Sequence, residues 1–81
     1  MIPLADFVIA FDESGISIDP DKFQADKSFA DNGIDSLDVM SLFLHIEEKY
    51  NVKFPDEEVP NILTPNQLLH RLNSLLSDLQ S

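Results

Sequence analysis

The 81-residue chain contains no cysteine, so it builds no disulfide framework, offers no thiolate metal site and owns no thiol nucleophile. Basic residues are also scarce. Five Lys and Arg stand against fifteen Asp and Glu, giving a formal net charge of −10, and no Lys or Arg precedes Lys22. That balance argues against nucleic acid or an anionic membrane as the main partner and makes basic protein surfaces the natural counterpart. No apolar run is long enough to span a bilayer, and Met1 to Asp6 lacks the basic and apolar regions of a secretory signal. A cytoplasmic protein with no stable membrane insertion is therefore expected. A chain this small buries only about 60% of its unfolded surface, too little for a deep enzyme cleft. Its hydrophobic content of 43% nonetheless lifts it out of the disordered class. One domain over residues 1–81 is expected, as a monomer acting on something it carries or touches.

Leu4, Phe7, Val8 and Phe11 recur at helical spacing and predict a short first helix ending before Gly15. Residues 12–35 read as a long ordered loop containing Pro20 and pinned by Ile16, Ile18, Phe23 and Phe29; a loop of that length in a small domain is functional or well anchored. In a helix starting at Ser36, Val39, Leu42, Phe43, Ile46 and Tyr50 fall on one face at about 100° per residue and form its core side. The other side carries Leu37, Met40, Ser41, Leu44, His45 and Glu48, an unusual amount of apolar surface to leave outside. Asn51 terminates this helix. Asp56 to Ile62 predicts a short helix that Pro60 shortens or distorts by removing an amide donor. Thr64-Pro65-Asn66-Gln67 combines a threonine cap, proline at the first helical position and a glutamine completing a capping box. Leu68, Leu69, Leu72, Leu75, Leu76 and Leu79 then form one apolar stripe. With no repeat and no alternating strand pattern, the fold class is all-α, a small bundle of three main helices plus one short helix.

The run Asp31-Asn32-Gly33-Ile34-Asp35-Ser36-Leu37-Asp38 sets one serine between a glycine turn and the amphipathic helix. Asp35 is a good N-cap, Asp38 three residues later makes an acidic version of the capping box, and Ser36 is the first helical residue. Gly33 can take turn angles that a side chain resists, which presents Ser36 at an exposed corner. A helix start favours a nearby anion by about 0.3 to 1 kcal/mol, part of which Asp35 and Asp38 offset. No histidine or lysine lies close in sequence to act as a general base, so self-catalysed acyl transfer of the serine-hydrolase kind is not expected. His45 and Glu48 supply two ligands, short of a metal site. In Asp19 to Gln24, phenylalanine and glutamine occupy positions where a calcium loop needs a ligand and a glycine.

Asp35-Ser36-Leu37 resembles the modification site of the acyl carrier protein family. The resemblance runs from Phe29 through Tyr50 to Leu72, taking in Glu47-Glu48, the Val52 to Glu58 block and the leucine-rich end. It implies an acyl-carrier-protein-like bundle with 4'-phosphopantetheine on Ser36, flanked by Asp35 and Leu37 and attached by a phosphopantetheinyl transferase. The arm would supply the thiol that the chain lacks. Acyl-transferring and synthase enzymes with basic patches would dock on Leu37, Asp38, Met40, Ser41, Leu44, Glu47, Glu48, Asp56 and Glu57. The implied function is that of a free-standing carrier, not an enzyme, holding acyl thioesters in fatty acid or related lipid biosynthesis. Ser41 at a position the family often gives to an acidic residue, Pro60 and the short first helix hint at a specialised member. An aminoacyl or polyketide carrier is the alternative with the same chemistry, and an unmodified acidic helical adaptor for a basic partner the alternative from another class.

Self-repulsion among fifteen carboxylates lowers stability where screening is weak. The melting temperature is expected to rise between low and moderate salt, and a salt-independent melt would contradict this.

Overall fold

The apolar spacings resolve, in a computed structural model, into α1 (Leu4–Glu13), α2 (Ser36–Tyr50), a 3-10 turn at Val59–Asn61 and α3 (Pro65–Leu79). The residues described are 2–16, 18–19 and 21–79, and no strand occurs among them. Pro20 and the side chain of Leu79, both named above, lie outside the described residues.

α1 turns Phe7, Ala10 and Phe11 inward, each fully buried, while Leu4 is 43% exposed and Val8 only half-buried. The helix is thus rotated from the expected stripe, and Ala10 replaces Leu4 in the core. Phe7 and Phe11, one turn apart, meet edge to face at 5.1 Å, and Phe11 meets Phe23 from the loop at 5.6 Å, the arrangement that ring quadrupoles favour. Ser14 ends α1 with its hydroxyl donating to the Ala10 carbonyl, and Gly15 follows at φ +85°. The N-terminus is held from the far end of the chain, since the Asn73 side chain accepts from the Ile2 amide at 2.7 Å and donates to its carbonyl.

α2 behaves as its periodicity predicts. Leu42, Phe43 and Ile46 are buried, and Val39 and Tyr50 pack against the core from its edge. Asn51 closes the helix in the left-handed conformation at φ 55°, ψ 48°, and the amides of Asn51 and Val52 both donate to the Glu47 carbonyl. Phe54 then returns into the core, edge to face with Phe43 at 5.3 Å.

The expected helix over Asp56–Ile62 is replaced by a turn at 56–58 and the three-residue 3-10 turn. Successive bonds Glu58 to Pro55, Asn61 to Glu58 and Ile62 to Val59 all have i to i−3 spacing, the pattern that survives when Pro60 contributes no amide. Arg71 of α3 braces this segment by donating to Glu58 Oε2 at 3.0 and 3.1 Å. α3 begins as read: Gln67 N donates to Thr64 Oγ1 at 3.1 Å, and Gln67 Oε1 accepts from the amides of Thr64 and Leu63. Leu68, Leu69 and Leu72 are buried, with Leu75 and Leu76 at the core margin.

One ionic cluster joins α1 to α2. Glu13 Oε1 accepts from Lys49 Nζ and lies 3.4 Å from His45 Nε2. His45, assigned to the outward side with Glu48, is turned instead towards α1. The Lys49 ammonium, and after it His45, hold the Glu13 carboxyl below its ordinary value, and Glu13 in turn raises Lys49. A depressed carboxyl contributes stability above its unfolded pKa and loses it as pH falls through the folded value. Glu13→Gln is therefore expected to be less stable than wild type at neutral pH, by a small margin because the pair is exposed. Denaturant melts as pH is lowered should show the margin closing, and a constant difference would refute the assignment.

Candidate functional site

The turn that delivers Ser36 is built around Asn32. Its Oδ1 accepts from the Gln24 amide at 2.9 Å, while its Nδ2 donates to the carbonyls of Gln24 and Ser28, each at 2.9 Å. One amide side chain thus ties both ends of the segment 24–32 together. Gly33 follows at φ +78°, a left-handed angle at which a side chain would be strained. The Ile34 amide then folds back to the Phe29 carbonyl at 2.9 Å. Phe29 and Ile34 are both buried, so the turn is fixed from inside as well. It is also attached to the start of α3: Phe29 N donates to Leu63 O at 3.1 Å, Asn66 N to Ala25 O at 2.9 Å, and Asn66 Nδ2 to Asp26 Oδ1 at 3.0 Å.

From this platform the chain enters α2 through Asp35, whose extended backbone and Oδ1 accepting from the Asp38 amide at 2.9 Å make it an N-cap. The return half of the capping box is not made among the described residues: the Asp35 amide does not donate to the Asp38 carboxylate. Ser36 is the first helical residue and is exposed. Its hydroxyl makes no hydrogen bond among the described residues, so it is free to be esterified. The Ser36 and Leu37 amides likewise have no acceptor among those residues, and as orphan donors at a helix start they suit a phosphate ester on the adjacent oxygen.

Beside Ser36 opens an apolar groove of about 380 Å³, within the roughly 300–1,000 Å³ typical of small-ligand sites. Phe29, Ile34, Val39 and Ile62 line it, Met40, Val59, Pro60 and Leu63 form its margins, and Ser28, Ala30 and Ser36 complete it. The sequence placed Ser36 and Met40 at the site but missed the other walls. The available signal was Leu63, a large apolar residue between a proline turn and a helix cap, which the fold leaves 59% exposed.

The outward stripe of α2 is present. Leu37, Met40 and Leu44 are 79%, 52% and 59% exposed, and at 100° per residue they share a face with Ser41 and Glu48, both exposed. Asp38 lies on the flank of that face. Asp56 and Glu57 are exposed in the turn before Val59. Glu47 differs from the rest: it is half-buried, and its Oε2 accepts from the Phe54 amide at 2.8 Å, so one of its oxygens anchors the return of the chain after α2.

No general base lies against Ser36 from within α2. His45 is nine residues along the helix, about 13 Å at 1.5 Å per residue, and faces Glu13. No group of three His, Asp or Glu side chains suited to a metal occurs among the described residues, and no helix there is long and apolar enough to cross a membrane.

A family model described as the phosphopantetheine attachment site matches residues 12–72. An acyl carrier protein of Renibacterium salmoninarum is 42% identical over 57 residues, covering 69% of this chain and 68% of that one. The anthracycline acyl carrier protein DauA of a Streptomyces species is 45% identical over 58 residues, covering 70% and 69%. Among solved structures, hexanoyl ACP from the actinorhodin polyketide synthase of Streptomyces coelicolor is similar with a TM-score of 0.83 at 30% identity, over 96% of this chain and 94% of that one.

Because Asn32 satisfies backbone groups at both ends of the turn, Asn32→Ala is expected to cost about 1 to 3 kcal/mol. Asp31→Ala, at an exposed neighbour, should stay within about 0.5 kcal/mol. Equal effects of the two in urea denaturation would remove Asn32 from its role.

Proposed function

The chain belongs to the phosphopantetheine-attachment family of acyl carrier proteins, matched over residues 12–72, and we propose from this that Ser36 bears the 4'-phosphopantetheine. The observation that carries the assignment is a free, exposed hydroxyl at the first position of α2, next to two unpaired amides and an apolar groove. When attached, the group supplies a terminal thiol that holds an acyl unit as a thioester, and it is the only thiol available to a chain without cysteine. Asp35 fixes the corner from which the arm leaves, and Leu37 beside it is bare for contact. The lack of a base within hydrogen-bond reach on α2 leaves esterification of Ser36 to a separate phosphopantetheinyl transferase.

The cargo is an acyl intermediate of fatty acid or related lipid biosynthesis, carried by a single domain acting as a cytoplasmic monomer. The nearly all-apolar lining of the groove supports an apolar chain, which gains by leaving water. A polyketide carrier is the second reading, favoured by the likeness to DauA and to the actinorhodin carrier. In both, Leu37, Met40 and Leu44 meet synthase enzymes whose basic patches are steered in by Asp38, Glu48, Asp56 and Glu57.

The test is intact mass before and after incubation with coenzyme A and a broad-specificity phosphopantetheinyl transferase. Wild type is expected to gain one phosphopantetheinyl group and Ser36→Ala none, with helical circular dichroism unchanged. A folded wild type that neither arrives modified nor gains mass would favour the unmodified adaptor.

A further inference from the structure

A second apolar surface lies away from Ser36, on the side of α1 that is not packed into the core. Val8, Ile9, Asp12, Ile16 and Ile18 surround a depression of about 250 Å³, which shares no residue with the groove at Ser36. Ile9 is 53% exposed there. Leu4, one turn before Val8 and hence its neighbour on the helix surface, is 43% exposed. The first 21 residues surrounding this surface hold five carboxylates and no Lys or Arg. Glu13 is engaged by Lys49 and His45, and Asp6 feels the Lys49 charge, whereas Asp12, the one carboxylate lining the depression, makes no salt bridge among the described residues. The apolar depression therefore carries unneutralised negative charge at Asp12.

We propose that this face of α1 docks a cationic amphipathic helix of a partner protein, with its apolar residues seated over Ile9 and Ile18 and its Lys or Arg beside Asp12. Charge selects this occupant. A second copy of the chain would set the same carboxylates against one another, and an anionic membrane would be repelled by a protein of net charge −10. An amphipathic helix laid in an apolar groove buries the exposed isoleucine, and lysines at its margin match the charge at Asp12. The surface is independent of the arm at Ser36, so the partner can hold the carrier while α2 remains open to enzymes.

The experiment follows amide shifts of the full, isotope-labelled chain on titration with a helical peptide of about fourteen residues, leucine on one face and lysine on the other. The control is the same peptide with glutamate for lysine. The lysine peptide is expected to shift Val8, Ile9, Asp12 and Ile18, whatever it does at α2, and the glutamate peptide to leave them unmoved. Ile9→Ser combined with Asp12→Asn should weaken binding at those amides about tenfold and leave any α2 shifts in place. Shifts confined to α2, equal binding of both peptides, or self-association abolished by Ile9→Ser would each overturn the proposal. If the double variant melts lower than wild type, the wild-type shift map alone decides.

Discussion

The side chain of Asn32 is the point on which the functional end of this molecule depends. A loop of some twenty residues in a small, cysteine-free chain has neither a disulfide nor a strand ladder to hold it, and every ordered residue costs about 1 to 2 kcal/mol of conformational entropy. Asn32 answers locally by closing the segment 24–32 through three hydrogen bonds of 2.9 Å. Phe29 and Ile34 add burial on the inner side, and the Phe29 amide joins the turn to Leu63. Gly33, Asp35 and the first turn of α2 inherit their positions from that unit, so Ser36 stands on a corner braced from α3 as well as from its own helix.

Charge and packing divide the work in the rest of the fold. Core contacts are apolar throughout, with no buried charged or polar residue among those described, and aromatic contacts join α1 to the loop through Phe11 and Phe23, and α2 to the segment after it through Phe43 and Phe54. Two of the few cations tie one segment to another. Lys49 joins α2 to α1 through Glu13, and Arg71 joins α3 to the turn that Pro60 keeps from becoming an α-helix. Two of the chain's five basic residues are thereby committed internally, which leaves the outer surface more uniformly negative than composition alone indicates.

Features encoded within one turn of chain were legible in the sequence. The Asp35 and Thr64 caps, the left-handed Asn51, the buried side of α2 and the distortion at Pro60 all follow from neighbours three or four residues apart. What escaped depends on partners distant in sequence. Asn73 reaches Ile2 across 71 positions, and His45 reaches Glu13 across 32. The rotation of α1 that buries Ala10 and exposes Leu4 goes with contacts made outside the helix, among them Phe11 against Phe23. Glu47 looked like one of a pair of surface acids, yet its role with the Phe54 amide depends on how the chain turns after Asn51. At the candidate site the same division holds: Ser36 and the outward stripe were visible, whereas the groove is made of residues from four separate stretches that only the fold brings together.

Met40 belongs to two surfaces at once. It lines the groove beside Ser36 and, at 52% exposure, stands in the apolar stripe between Leu37 and Leu44. Methionine is unbranched and adapts its shape at low cost, so it suits a position that must fit both a partner and whatever occupies the groove. A protein that covers the stripe necessarily presses on one wall of the groove. Rearranging that wall in turn alters the surface the partner meets, because energetic coupling between two ligands sharing a residue is reciprocal. Pro60 and Val59 hold the opposite margin in a short turn braced by Arg71. The groove is therefore stiff on one side and adjustable on the other, and its adjustable side is the one turned towards the stripe.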